Sequence, residues 1–124
     1  MKVKNIKMAI KSDRELFNEV KKVWKNLEKG EKVPKHEGIY FEDLDTMRKI
    51  LTVERLKILK TIKKNSPRSI YELAKLIERD VKNTFDDVQF LAQVGLIELK
   101  KTKNGRAKTT PQVNYDQIVL EIPV

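Results

Sequence analysis

Five cations and no acid fall between residues 100 and 108: Lys100, Lys101, Lys103, Arg106 and Lys108. Asn104-Gly105 lies among them, and Asn-Gly is the strongest short hairpin signal. Cations at a hairpin tip suit phosphate. Each phosphate neutralised on a nucleic acid releases counterions, so such binding weakens steeply with salt. The competing reading is a solvated turn that happens to be basic; the tip placement and the lack of balancing acids favour DNA. Upstream, Lys82, Asn83 and Gln89 fall on the outer side of a stretch whose inner side is Val81, Thr84, Val88, Leu91 and Val94. Asn and Gln pair bidentately with adenine, and Lys reaches guanine or phosphate. Asp86 and Asp87 share this stretch. Carboxylates near phosphates cost affinity unless they accept from cytosine N4 or pair with a nearby base. Phe85 sits one step off the inner stripe; core packing is the expectation, contact with a thymine methyl the alternative.

Other chemistries find little support. Zero cysteines exclude disulfides, thiolate metal sites and cysteine nucleophiles. His36 is the single histidine and reads as a surface residue in a polar loop. Glu42, Asp43 and Asp45 are close in sequence, but at a helix start they are favourable charges at the positive end of the dipole rather than a metal site or an acid–base pair. Ser12 and Ser69 read as helix caps, with no base placed beside them. Four scattered glycines cannot make a phosphate-binding loop. No catalytic residue, cofactor or metal is expected.

Composition agrees with an anionic partner. The 124 residues carry 27 Lys and Arg against 18 Asp and Glu, a net charge of +9. Such an excess favours nucleic acid first and an anionic membrane second, although a Lys-rich surface of a heat-adapted protein has a similar composition. No apolar run approaches the roughly 18 residues of a membrane span, and Met1–Ile10 lacks a signal-peptide core. A cytoplasmic protein is the expectation.

The elements that must position these residues follow from periodicity. Ile6, Met8 and Ile10 alternate with Lys7 and Ala9, as in a strand with one apolar face. Ser12 and Glu15 have the spacing of a capping box. Leu16, Val20, Val23 and Leu27 then repeat at helical steps, with Phe17 and Trp24 beside them, up to Gly30. This broad stripe either packs into the core or forms a seam between two copies. Phe17, Val20, Trp24 and Leu27 are the candidate dimer contact. The helix's polar face is mixed in sign, which disfavours a membrane surface.

A polar connection through Pro34 leads to the short apolar run Ile39-Tyr40-Phe41. Leu44, Met47, Ile50 and Leu51 predict a short helix over 42–51. Thr52 can cap a helix over 52–65, which ends because Pro67 disfavours helix at Ser66. Ser69 and Glu72 form a second capping box for a helix over 69–77. Glu78-Arg79 is a tight break, and Asp80 is a good cap for a helix over 80–94 that Gly95 ends. Leu96–Leu99 begins a strand, a second arm runs from Ala107 towards Val113, and Ile118, Leu120 and Ile122 mark a terminal strand that can pair with 6–10.

Three helices followed by a hairpin are the order of a winged helix-turn-helix. The turn at Glu78-Arg79 sets the angle that lays helix 80–94 in the major groove, which admits a helix. Free N–H groups at the start of helix 69–77, beside Ser69 and Tyr71, offer a phosphate contact. The expected fold is α+β, mainly α, with residues 1–38 as a strand–helix extension and 39–124 as the winged-helix domain with its C-terminal strand.

The chain resembles the small MarR-like predicted transcriptional regulators of archaea and bacteria. The resembling residues are Gly38–Leu44, Met47–Thr52, Glu54-Arg55-Leu56, Ser69–Ala74, Arg79–Asn83, Gly95–Glu98 and Tyr115–Ile118, and Arg79–Asn83 is the most specific piece. That family often has a basic residue or His near positions 85 and 86, where this chain has Phe85 and Asp86. The resemblance implies a winged-helix protein that binds double-stranded DNA and acts on transcription. Ser69, Tyr71, Lys82, Asn83, Gln89, Lys101, Lys103, Arg106 and Lys108 are the candidate DNA contacts, and a homodimer is expected because one helix reads only a few base pairs. The alternative is a winged-helix protein-interaction module, binding an antitoxin-like partner or a component of the transcription machinery, which Asp86 and Asp87 favour.

Overall fold

In a computed structural model that describes residues 4–11, 13–30, 38–102 and 108–124, the described residues form an α+β fold with about half of the chain in helix. The order is β1 (Asn5–Ile10), α1 (Asp13–Glu28), β2 (Gly38–Phe41), α2 (Leu44–Ile50), α3 (Val53–Asn65), α4 (Ile70–Leu76), α5 (Val81–Val94), β3 (Glu98–Thr102), β4 (Lys108–Gln112) and β5 (Gln117–Glu121). Among these residues no helix is long and apolar enough to cross a membrane. The expected cap Ser12, the loop residues Pro34 and His36, and the Asn104-Gly105 turn lie outside the described residues, as do the side chains of Leu16, Val23 and Leu27.

The chain divides into two compact units. One comprises residues 5–49 and 117–124, the other Lys4 with 50–116. This differs from the expected division at residue 38. The reason is strand pairing. β1 is the middle strand of a sheet ordered β2-β1-β5 and is parallel to both neighbours, so the short run at 38–41 and the C-terminal strand both join it. Registered residues of paired strands share a face. Met8 therefore stands between Ile39 and Leu120, with Ile6 beside Ile118 and Ile10 beside Phe41. Met8, Ala9, Phe41 and Met47 are the buried apolar residues described in this unit. Lys7 is ion-paired with Glu121. Lys11 is paired with Glu19 and lies 4.3 Å from the Tyr40 ring centroid; its hydrogen bond to Glu19 raises its pKa. Asp43 precedes α2 and accepts from the Thr46 N–H at 2.8 Å and hydroxyl at 2.7 Å, which lowers its pKa. Asp43 thus serves as a helix cap.

The second unit is organised by local signals. Thr52 Oγ1 accepts from the Arg55 N–H at 3.2 Å and starts α3. Ser66 ends it in the left-handed region just before Pro67, its N–H bonded to the Ile62 carbonyl. Ser69 Oγ accepts from the Glu72 N–H at 3.1 Å, while Glu72 Oε2 accepts from the Arg68 N–H at 3.3 Å. After α4, Glu78 takes φ 55° and the Arg79 N–H bonds back to the Ala74 carbonyl at 3.0 Å. This closes the tight break before α5. Asp80 occupies the cap position, but its side chain makes no cap hydrogen bond. Its carbonyl instead accepts from both the N–H and the hydroxyl of the buried Thr84. Gly95 ends α5 at φ 102°, where its N–H and that of Leu96 reach the Leu91 carbonyl; a side chain there would be strained. Ile58, Leu59, Ile62, Leu73, Ala74, Val88, Leu91, Leu96 and Ile97 fill the core.

Candidate nucleic-acid interface

The β3–β4 hairpin is antiparallel, and its register decides which cations stand together. Glu98, Lys100 and Thr102 pair with Gln112, Thr110 and Lys108, while Leu99 and Lys101 pair with Pro111 and Thr109. Directly opposed residues share a face and neighbours along a strand alternate. Lys100 and Lys108 therefore lie on one face, and Lys101 lies on the other with Leu99 and the buried Pro111. Lys100, Lys101 and Lys108 are all exposed. Lys100 is not among the expected contacts, yet among the described cations of the hairpin it is the one that shares a face with Lys108. The signal for this is period-two alternation, usable only once the register is known. Lys103 and Arg106 lie outside the described residues. Thr110 Oγ1 donates to the Arg68 carbonyl at 2.7 Å, tying β4 to the segment before α4.

On α5, Thr84, Val88 and Leu91 are buried, and Lys82 and Asn83 are exposed on the opposite side, with Gln89 half-buried at the margin. Two expectations are corrected. Phe85 is 46% exposed rather than packed in the core, and Val81, the first residue of the helix, stands out with it. One helical step turns a side chain by about 100°; that step past Thr84 takes Phe85 out of the buried stripe, four residues on from Val81.

The two acids of α5 separate. Asp86 is exposed. Asp87 turns inward, where its carboxylate accepts from Arg79 Nη1 at 2.9 Å and Arg55 Nε at 3.3 Å. Arg55 also donates to the Ile50 carbonyl at 3.0 Å and lies 4.2 Å from the Phe90 ring centroid. Arg79 stands 3.9 Å from Glu54. Asp87 is thus neutralised within the fold and does not add to an acidic exposed face, contrary to expectation. Glu54, Arg55 and Arg79, three of the residues that carry the resemblance above, belong to this cluster.

Ser69 is half-buried, and its Oγ is used as the α4 cap. Tyr71, two residues on, is exposed, with Lys75 Nζ 4.7 Å from its ring centroid. Sequence reasoning missed a further basic feature: Lys57, Lys60 and Lys64 line an open groove of about 520 Å³ with Val53, Leu56 and Leu76. At the end of this unit, Tyr115 donates to the Leu96 carbonyl at 2.9 Å, and burial pushes its pKa up to about 12. Asp116 accepts from the Lys4 N–H at 2.9 Å and pairs with Lys63 at 3.1 Å, which lowers its pKa.

In the other unit, the described members of the candidate dimer contact are open. Phe17, Val20 and Trp24 are 60%, 62% and 65% exposed. Core packing of this stripe, one of the two readings above, does not occur for these three side chains. The side chain of Leu27 lies outside the described residues.

The family model HVO_A0114 matches residues 50–120, more than half of the chain. No curated protein and no solved structure matches it.

Proposed function

The chain belongs to the HVO_A0114 family, and we propose that it is a cytoplasmic DNA-binding transcriptional regulator built as a MarR-like winged helix-turn-helix. In this reading α3, α4 and α5 are the three helices and β3–β4 is the wing. α5 enters the major groove, where Lys82, Asn83 and Gln89 face base edges. Lys100, Lys101, Lys103, Arg106 and Lys108 hold the backbone, and Ser69 and Tyr71 meet a phosphate at the start of α4. The observation that carries the reading is the shared exposed face of Lys100 and Lys108 on a hairpin whose described acid, Glu98, lies at its base. The inward pairing of Asp87 removes one of the two carboxylates that opposed it. Two copies bind two half-sites, with Phe17, Val20, Trp24 and Leu27 available as a contact between them.

The roles separate in a binding experiment. Replacing Lys100 and Lys108 together, or Lys103 and Arg106 together, by Ala weakens binding on every sequence and lowers the salt slope by about 2. Replacing Asn83 by Ala relaxes sequence preference instead. Equal losses on all sequences for both kinds of change contradict the division of labour.

A second reading has its own observation. Exposed Phe85 and Val81 beside exposed Asp86 make the outer face of α5 partly apolar and partly acidic, which suits a protein partner better than a phosphate backbone. Retained DNA binding in a Phe85→Ser variant that loses a captured protein partner supports this alternative.

A further inference from the structure

β5 is an edge strand. One side of it is bonded to β1 along Gln117–Glu121. Among the described residues its other side makes no backbone hydrogen bond to another element. A row of unpaired N–H and C=O groups is a template for a further strand, and proteins blunt such edges with a lysine, a proline or a bulge. Gln117-Ile118-Val119-Leu120-Glu121 contains neither lysine nor proline, and its register with β1 runs without a bulge. Its one charge, Glu121, is engaged by Lys7. Val119 and Leu120 are 41% and 50% exposed. The opposite edge, β2, spans only Gly38–Phe41 and is half-buried or buried throughout.

We propose that β5 pairs with β5 of a second copy, antiparallel about a two-fold axis at Val119, so that the two three-stranded sheets become one continuous sheet. The strand is self-complementary in this register. Val119 meets its own copy, Ile118 meets Leu120, and Gln117 meets Glu121, whose carboxylate accepts from the Gln amide. Apolar cross-strand pairs stabilise an antiparallel ladder, and like charges directly opposite destabilise it; this register has only the former. Closure about a two-fold leaves no further open β5 edge, so pairing stops at two copies. The proposal deepens the two-fold reading above and rests on it, but moves the seam from α1 to β5.

Sedimentation velocity on the full chain at micromolar concentration tests it, using the wild type, Val119→Lys, Val119→Glu, an equal mixture of those two, and Trp24→Asp. The wild type sediments as a dimer. Each Val119 variant alone raises the dimer dissociation constant at least about tenfold, because like charges face each other across the axis. The mixture restores the dimer, as Lys now faces Glu, which an unfolded variant cannot do. Trp24→Asp remains dimeric. The chain has no cysteine, so V119C is a second readout. Opposed residues in an antiparallel pair have Cα atoms about 4.5–5.5 Å apart, within reach of a disulfide. V119C cross-links under mild oxidation and Q117C does not. A monomeric wild type overturns both the two-fold reading and the β5 seam. A dimer that survives both Val119 variants and leaves V119C unlinked overturns the seam alone.

Discussion

In the unit built on α3, α4 and α5, the side chains of Ile58, Leu73, Val88, Leu91 and Leu96 are buried, while Lys82, Lys100, Lys101 and Lys108 are exposed. In the unit built on β1, Met8, Ala9, Phe41 and Met47 are buried, while Phe17, Val20, Trp24, Val119 and Leu120 face solvent. Apolar surface stabilises a fold by about 25 cal/mol per Å² only once it is removed from water. The first unit buries the inner stripes of its three helices, and Val53, Tyr71, Leu76, Val81 and Phe85 stand exposed among its charges. Among the described residues, the second leaves apolar side chains and one strand edge open, features that mark surfaces for another chain. In the proposed function one unit meets a polyanion and the other a partner copy.

The contrast predicts that equivalent truncations differ in cost. Leu91→Ala empties a fully buried site, and chemical denaturation reports a loss of about 2–5 kcal/mol. Trp24→Ala, on the open stripe of α1, changes stability by no more than about 0.5 kcal/mol. A large loss at Trp24 breaks the comparison.

Asp87→Ala removes the partner shared by Arg55 and Arg79. Charge-assisted bonds of this kind are worth roughly 1.5–3 kcal/mol, and thermal unfolding detects a loss of that size. Asp86→Ala, one residue along and exposed, has almost none.

Gly95→Ala places a side chain at φ 102° and costs about 1 kcal/mol or more in a melt.

Tyr115 sharpens the comparison through pH. Its folded pKa of about 12 exceeds the roughly 10 of an unfolded tyrosine, so between these values the unfolded chain holds fewer protons. Its contribution is complete below pH of about 10 and lost as pH rises towards 12. Tyr115→Phe forfeits the bond to Leu96, about 1 kcal/mol at neutral pH. The gap between it and the wild type narrows across that window in urea titrations.

The smallest effect is expected at Glu78, which holds φ 55°. Glu78→Gly relieves the left-handed backbone and raises stability by about 0.5–1 kcal/mol.

Much of the unit built on α3, α4 and α5 is legible because its signals act over one helical turn. Thr52, Ser69 and Gly95 mark ends that the structure uses, and the buried stripes of α3, α4 and α5 follow their periodicity. In the sequence β2 is only an apolar run, since four residues carry too little alternation to declare a strand; its pairing with β1 comes from the register. On α5, Phe85 and Asp87 take the sides opposite to those expected from the sequence. The inward position of Asp87 depends on Arg55, 32 residues away, which no local pattern reveals. Which hairpin lysines share a face likewise depends on strand register, and that placed Lys100 with Lys108.

The central claim is that the 50–116 unit reads DNA. Fluorescence anisotropy of the full chain on random duplex and on a duplex pool selected for binding, at low and at physiological salt, tests it most directly. The account predicts sub-micromolar binding to the selected pool, tighter than to random duplex at both salts. Weak binding, equal on the two pools and abolished by salt, contradicts it and reduces the basic hairpin to an electrostatic patch.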